Sequence, residues 1–303
     1  MSSIPASFQK GNTALITGGA SGIGLALTTR LLSYGLRVLV ADKDISRLSS
    51  LPSSLSPAET ETNTKDLLTT FEMDVANLSD WTRLKVKIDQ LFDGQLNVLA
   101  LNAGRYLPTS FTNPDPTNFY ETLQTNLFGV INGITTLLPL VQQTSMSPQT
   151  SAGSSSCSII ITGSKQGITN PPANPAYNAS KSAVKTLAEH LSFDLSTSHP
   201  DVSVHLLVPG WTFTGMTGAG EKEKEKEKPA GAWWPEQVVD YLEGKMAEGK
   251  FYVICPDNAV TEEMDKRRMV WAMGDVVENR PPLTRWRAGW KEKAEEGMKG
   301  LDV

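Results

Sequence analysis

Tyr177 and Lys181 stand four residues apart in the stretch PAYNASK. In a helix, positions i and i+4 share a face, so both side chains can enter one pocket. A phenol ionises near pH 10, and a lysine is already protonated at neutrality. An ammonium beside the ring favours the phenolate, which makes the pair suited to proton transfer. To act near neutral pH the phenol must fall by about three units, roughly 4 kcal/mol of preferential phenolate stabilisation. Ser164 closes the apolar run CSIIITGS, thirteen positions before the tyrosine. A tyrosine–lysine pair alone is usually incidental, so its meaning depends on what surrounds it.

A second group of residues supplies a cofactor. TGGASGIG (Thr17–Gly24) follows the apolar TALIT and opens the helical pattern GIGLALTTRLLSY. Gly18 allows the tight turn, Gly22 lets the backbone approach a pyrophosphate at the helix's positive end, and Gly24 permits close helix–sheet packing. Asp42 closes the next strand, RVLVAD, eighteen positions after Gly24. A carboxylate there accepts hydrogen bonds from ribose hydroxyls and repels the extra phosphate of NADP. NAD(H) is therefore the expected cofactor, with NADP(H) as the alternative through Lys43 or Arg37. The plainer readings are a flexible turn for the glycines and a helix-capping role for Asp42.

The elements that must position these groups alternate along the chain. Strand-like runs occur at TALIT, RVLVAD, LLTTFEMD, LNVLALNAG, CSIIITGS, VSVHLLVPG and KFYVICPD. Helical patterns lie between them: after Gly22, over Ser79–Asp93, from beyond Gly104 to about Val141, over Tyr177–Ser198 and over Glu236–Ala247. The strands are continuously apolar, not alternating, which indicates a parallel sheet buried on both faces. The expected fold is α/β, a Rossmann-type doubly wound sheet with helices on both faces. Residues 51–66, 145–156 and the run EKEKEKEK (Glu221–Lys228) break the rhythm without shifting it, so they read as surface segments of one domain.

Composition narrows the function classes. The chain has 303 residues and a formal net charge of −5, which gives no electrostatic reason for a nucleic-acid or anionic-membrane partner. Cys157 and Cys255 both lie in apolar runs and read as buried free thiols of a reducing compartment. No basic-then-apolar leader and no bilayer-length apolar run is visible, and a cytoplasmic protein is expected. His190, His199 and His205 lack metal-binding spacing, so no metal is expected.

Taken in order, TGGASGIG, Asp42, MDV, NAG, NLFG, ITGS, YNASK and PGWTFT resemble the short-chain dehydrogenase/reductase superfamily in its compact single-domain form, over about residues 12–253. The resemblance implies a catalytic set of Asn126, Ser164, Tyr177 and Lys181. It implies cofactor contacts from Gly18, Ser21, Gly22, Ile23 and Gly24, then from Asp42, Asp74 and Val75. Further contacts fall to Asn102, Ala103 and Gly104, to Tyr177 and Lys181, and to Pro209, Gly210, Thr212 and Thr214. Asp74 would bind the adenine amino group, Asn126 a water linked to the lysine, and Thr212 and Thr214 the nicotinamide carboxamide. Ser164 would hydrogen-bond the substrate oxygen and stabilise charge growing there. Leu101, Lys165, Trp211 and a tail of roughly fifty residues depart from the common pattern. Of these, Lys165 is expected to bring a charge near the substrate mouth.

The reading that follows is an NAD(P)-dependent oxidoreductase interconverting a secondary alcohol and a carbonyl. Residues 1–255 would form its catalytic domain, with 256–303 as an extension packed on it. A substrate lid is expected over about 212–235, mobile over 217–232 until ligands bind. Trp211, Phe213, Met216, Trp233 and Trp234 flank it and favour a bulky apolar or aromatic substrate. Homodimer or homotetramer formation through the helices after Asp115 and Tyr177 is implied by the resemblance. Two alternatives stay open: a dinucleotide-binding redox sensor without turnover, and an epimerase or dehydratase that keeps the same cofactor.

Overall fold

A computed structural model describes residues 4–55, 66–147, 156–217 and 227–303 of the chain. Strand β1 (Thr13–Thr17) leads into helix α1 (Gly22–Ser33), β2 (Arg37–Asp42) and α2 (Ile45–Ser54). Then come β3 (Leu68–Glu72), α3 (Leu78–Phe92), β4 (Val98–Leu101) and α4 (Pro116–Leu123). A single π-turn over Gln124–Phe128 joins α4 to α5 (Gly129–Ser145). The second half runs through β5 (Cys157–Thr162), the one-turn α6 (Gln166–Thr169), α7 (Pro175–Ser198) and β6 (Val202–Val208). It ends with α8 (Pro235–Ala247), β7 (Tyr252–Ile254), α9 (Glu262–Val277) and α10 (Lys291–Lys299).

All seven strands pair in parallel, in the order β3-β2-β1-β4-β5-β6-β7. This is the expected doubly wound Rossmann-type sheet. The chain builds outward from β1 to β3, then crosses back to β4 and builds outward the other way. The carboxyl ends of β1 and β4 therefore diverge, and a crevice opens between the loops that follow them.

Strand periodicity sorts the core into two layers. Leu15, Leu39, Leu99, Ile159 and Ile161 face the side covered by α3, α5 and α7. Their neighbours Ala14, Ile16, Val38, Val40 and Ile160 face the side covered by α1 and α8. Burial on both faces explains why the central strands β1, β2, β4 and β5 are almost continuously apolar.

Two local departures refine the expected elements. The helix expected from beyond Gly104 to Val141 is two helices broken by the π-turn, which carries the buried Asn126. One extra residue in the turn frees backbone groups and rotates the side chains that follow, a device found often at functional positions. Strand β3 ends at Glu72, two residues short of Asp74, so Asp74 sits on the loop at the crevice rather than in the sheet.

Candidate active site

The crevice between the strand ends holds a cavity of about 600 Å³. Its floor is the glycine-rich turn. Gly18 has φ +63° and Gly22 has φ +53°, a region that favours glycine. A Cβ on Gly18 would stand 2.9 Å from the Ala103 Cα, so the turn and the NAG loop touch backbone to backbone. Helix α1 begins at Ser21 without a side-chain cap, which leaves its leading N–H groups for an anionic ligand. Gly24 does not line the cavity. A side chain there would run into the Gly18 carbonyl and the Asn102 amide, so its smallness lets α1 close on its own turn.

Asn102 ties three strands together at this point. Its amide donates to the carbonyls of Thr17 and Gly18, both at 3.3 Å, and its Oδ1 accepts from the Thr162 hydroxyl at 3.1 Å. The Thr17 hydroxyl in turn accepts from the N–H groups of Asn102 and Ala103. The ends of β1, β4 and β5 are thus held in one plane, with Ala103 and Gly104 left facing the cavity.

The end of the cavity nearest β2 carries mixed charge. Asp42 accepts from the backbone N–H of Ala20 at 3.2 Å and of Asp44 at 3.1 Å. Its carboxylate thus braces the glycine turn as well as facing the cavity, whereas the cap of α2 is Asp44, which accepts from the Arg47 N–H at 3.1 Å. Asp74 accepts from the Ala76 N–H at 2.9 Å, and Val75 adjoins it on the wall. Lys43 and Arg47 also face this end, and Arg47 pairs with Asp44 at 3.1 Å. Arg37 does not reach the cavity: its guanidinium donates to the Leu91 carbonyl and lies over the Phe92 ring. Arg47 was not singled out from sequence, because its helical position two residues past the strand loop carries no motif.

Ser164, Tyr177 and Lys181 converge on the opposite end, against β5. Asn174 caps α7 by accepting from the Tyr177 N–H at 3.2 Å, and Pro175 fills the first helical position. Thr109 donates to the same Asn174 oxygen at 2.6 Å, and the Asn174 amide donates to Leu107 at 2.8 Å. The tyrosine therefore sits in a first helical turn anchored by Asn174 and Thr109. Asn174 is a positioning residue that the motif search passed over, although an Asn–Pro pair before a helix is a readable start signal. The Lys181 ammonium lies 5.9 Å from the centre of the Tyr177 ring and donates to the Thr162 carbonyl at 2.7 Å.

Burial dominates the electrostatics. It pushes the Tyr177 phenol up from its usual value, opposed by a hydrogen bond with Ser164 and helped by nearby Tyr106. Lys181 is 4% exposed, and desolvation brings its ammonium down to about 8. Without a bound cofactor, burial thus disfavours the charged form of both groups and moves their pKa values apart, the phenol upward and the ammonium downward. Asn126 lies behind the cavity wall, fully buried. It accepts from the Arg105 N–H at 2.8 Å and donates to the Arg105 carbonyl at 3.0 Å and the Ser180 hydroxyl at 3.1 Å.

The loop after β6 brings Pro209, Gly210, Thr212 and Thr214 to the cavity. Of the aromatic and methionine residues expected around the lid, Met216 faces the cavity, whereas Trp233 packs on Tyr241 of α8 and Phe213 on Trp234. Tyr106, 5.1 Å from the Tyr177 ring, is the aromatic wall that the sequence did not reveal. Residues 218–226 of the expected lid, including most of the EKEKEKEK run, lie outside the described residues.

Lys165 does not leave a charge at the substrate mouth. Its ammonium is 2.5 Å from Asp265 on α9 and 3.5 Å from Asp257, and the two carboxylates are 2% and 6% exposed. Asp257 also accepts from the Trp211 N–H at 3.0 Å. This junction joins the loop after Ser164, the loop before Thr212 and the C-terminal helix. Among the described residues there is no cluster of three metal-ligating side chains, and no helix is long and apolar enough to cross a membrane.

Comparison with known proteins shows the family and fold of the chain. An NADP-dependent (R)-specific alcohol dehydrogenase from Lentilactobacillus kefiri is 26% identical over 207 residues, covering 68% of this chain and 75% of the relative. A 3-dehydrosphinganine reductase from Arabidopsis thaliana is 29% identical over 81% of this chain and 71% of its own length. A cis-2,3-dihydrobiphenyl-2,3-diol dehydrogenase from Paraburkholderia xenovorans is 31% identical over 62% of each protein. In fold, the chain resembles a short-chain dehydrogenase/reductase from Burkholderia phymatum solved with NAD, with a TM-score of 0.75 at 23% identity over 91% of this chain and 97% of the other. The family model described as short chain dehydrogenase matches residues 12–225, from the strand that opens the glycine turn to the charged run past Thr214. The chain is a member of the short-chain dehydrogenase/reductase superfamily, an oxidoreductase family.

Proposed function

We propose that the protein interconverts a secondary alcohol and a carbonyl by hydride transfer with NAD(H), NADP(H) being the alternative cofactor. The observation that carries this reading is the convergence of Ser164, Tyr177 and Lys181 at one end of a cavity whose other end is a glycine turn and an uncapped helix. The dinucleotide fits the residues present: the α1 N-terminus would take its pyrophosphate, Asp42 the adenosine ribose, Asp74 and Val75 the adenine. Thr212 and Thr214 would hold its carboxamide. When bound, the nicotinamide supplies the hydride donor or acceptor and, in oxidised form, a positive ring that favours the phenolate.

The chain's residues do the rest. Ser164 holds the substrate oxygen and stabilises the charge that grows on it. Tyr177 gives a proton to that oxygen in reduction and removes it in oxidation. Lys181 holds the ribose and keeps a positive charge near the phenol, and Asn126 fixes the backbone of Arg105 behind them. Tyr106 and Met216 form the apolar part of the mouth, in keeping with a bulky apolar or aromatic substrate. Residues 1–255 carry the reaction and 256–303 stay packed on them. Exposed Tyr120 on α4 and Phe193 on α7 support a homodimer or homotetramer through those helices, and two buried free cysteines fit a cytoplasmic setting.

A screen of ketones and secondary alcohols with NAD(H) and NADP(H), followed by the absorbance of the reduced nicotinamide, tests the reading. Turnover of at least one pair supports it. Tight dinucleotide binding without any turnover contradicts it and favours a redox sensor.

A further inference from the structure

A second cavity, of about 540 Å³, lies in the C-terminal segment, away from the main cleft. Helix α9, the 3-10 turn Thr284–Trp286 and helix α10 enclose it. Its walls are fixed rather than draped. The buried Thr284 donates to Asp275 at 2.6 Å through its hydroxyl and at 3.0 Å through its N–H, and it accepts from the Trp271 indole at 2.9 Å. Arg280 closes the same node by pairing with Asp275 at 3.0 Å.

The charge in this cavity is unbalanced. Arg267, Arg268, Arg285, Lys291 and Lys299 line it, against Glu263 and Glu295. Arg267 spends one nitrogen on Glu263 at 2.6 Å, while its Nε is buried with no hydrogen-bond partner. Arg268 reaches only to 3.9 Å from Asp265, whose nearer partner is Lys165. Arg285 has no carboxylate within ion-pairing distance among the described residues, and its guanidinium lies over the Trp286 ring at 4.8 Å. Burial, and after it the like charge of Arg268, push the Arg285 guanidinium down to about 10, so it stays charged at neutral pH but at a cost. Cations gathered this way are stabilised by an anion that the chain does not itself provide.

The remaining surface is apolar. Ala294 is fully buried at the base, and Met264, Trp286 and Met298 form the sides. A cavity of this size with apolar sides and a few converging charged groups is the ordinary form of a small-molecule site.

We propose that this cavity binds an amphiphilic anion, with a carboxylate or phosphate head held by Arg285 and Arg268 and an apolar tail laid along Met264, Ala294 and Met298. The site is independent of the chemistry in the main cleft.

Calorimetric titration of the full chain tests the proposal with four probes below their aggregation concentrations: octanoate, octyl phosphate, octanol and inorganic phosphate. The expected result is saturable one-to-one binding of octanoate or octyl phosphate, at least about tenfold tighter than octanol or inorganic phosphate. The source of the head group is read from which of the two charged amphiphiles binds more tightly. Arg285→Gln is expected to weaken that binding about tenfold, and Met298→Glu to do so with every cation in place. Both variants are expected to keep dinucleotide affinity in the main cleft, which shows that they fold. Absence of saturable binding, equal binding of octanol, equal binding of inorganic phosphate, or full affinity in both variants would overturn the proposal.

Discussion

The wall of the main cleft that starts at β1 is held by backbone, whereas the wall that starts at β6 is held by buried charge. On the β1 side, Gly18, Gly22 and Gly24 let chain segments touch directly, and one asparagine, Asn102, ties three strand ends. On the β6 side, Lys165 and two nearly buried aspartates join loops that are distant in sequence, Lys165 and Asp257 being 92 positions apart. Close backbone approach is steric and tolerates no side chain. A charge junction tolerates change in shape but not the loss of a partner.

The contrast is sharpest at the glycines. Gly18 and Gly94 both have positive φ, +63° and +71°, but only Gly18 has backbone within reach of an added Cβ. Gly94→Ala is expected to cost about 1 kcal/mol of stability through backbone strain alone, and Gly18→Ala more, because the clash with the Ala103 backbone adds to the strain. Only Gly18→Ala should also weaken dinucleotide binding, by about a hundredfold, measured by fluorescence titration. Equal affinity in the two variants would show that the β1 wall is not set by close approach.

Removing a partner tests the other wall. Asp265→Leu leaves Lys165 with Asp257 alone, and it is expected to cost about 1–3 kcal/mol of stability, measured by denaturant unfolding. Turnover should fall about tenfold while dinucleotide affinity stays near the parent value, because the β1 wall is untouched. The double variant Lys165→Met, Asp265→Leu leaves the nearly buried Asp257 carboxylate without its cation and is expected to lower stability and turnover further than Asp265→Leu alone. A fall in dinucleotide affinity as large as the fall in turnover would merge the two walls into one unit.

The pH profile reads the meeting point of the walls. Desolvation lowers Lys181 to about 8 in the free protein, so its ammonium is lost as pH rises through that value. If that charge holds the ribose and assists the phenol, kcat/KM for carbonyl reduction should fall by about tenfold per unit above pH 8. A profile flat to pH 10 would remove Lys181 from the chemistry.

Asp42→Ala is expected to have the smallest effect. It removes the carboxylate that disfavours NADPH, and it also frees two N–H groups of the glycine loop, so NAD(H) affinity should fall severalfold while the gap to NADP(H) narrows. Parent binding of NADPH tighter than NADH would instead make Lys43 and Arg47 the partners of the extra phosphate.

The same contrast explains what the sequence made legible. Strand alternation with helices, the glycine turn and the Tyr177–Lys181 spacing are local patterns, and each appears in the structure at the expected place. Asn174, Tyr106 and Arg47 were missed because their roles arise from what the fold brings beside them. Lys165 was misread for the same reason: a lysine after Ser164 looks exposed until α9 supplies Asp265. The break in the helix at Gln124–Phe128 left no sequence signal, since a π-turn adds one residue without a breaker such as proline.

In the proposed reaction, Tyr177 moves the substrate's proton at one end of a cleft whose other end fits a dinucleotide. Tyr177→Phe removes one hydroxyl and keeps the ring against Tyr106. With a ketone and alcohol pair established, kcat should fall by about 10² to 10⁴ while NADH affinity changes by less than about threefold. Turnover within about threefold of the parent would contradict this role, because some group other than Tyr177 would then be carrying that proton.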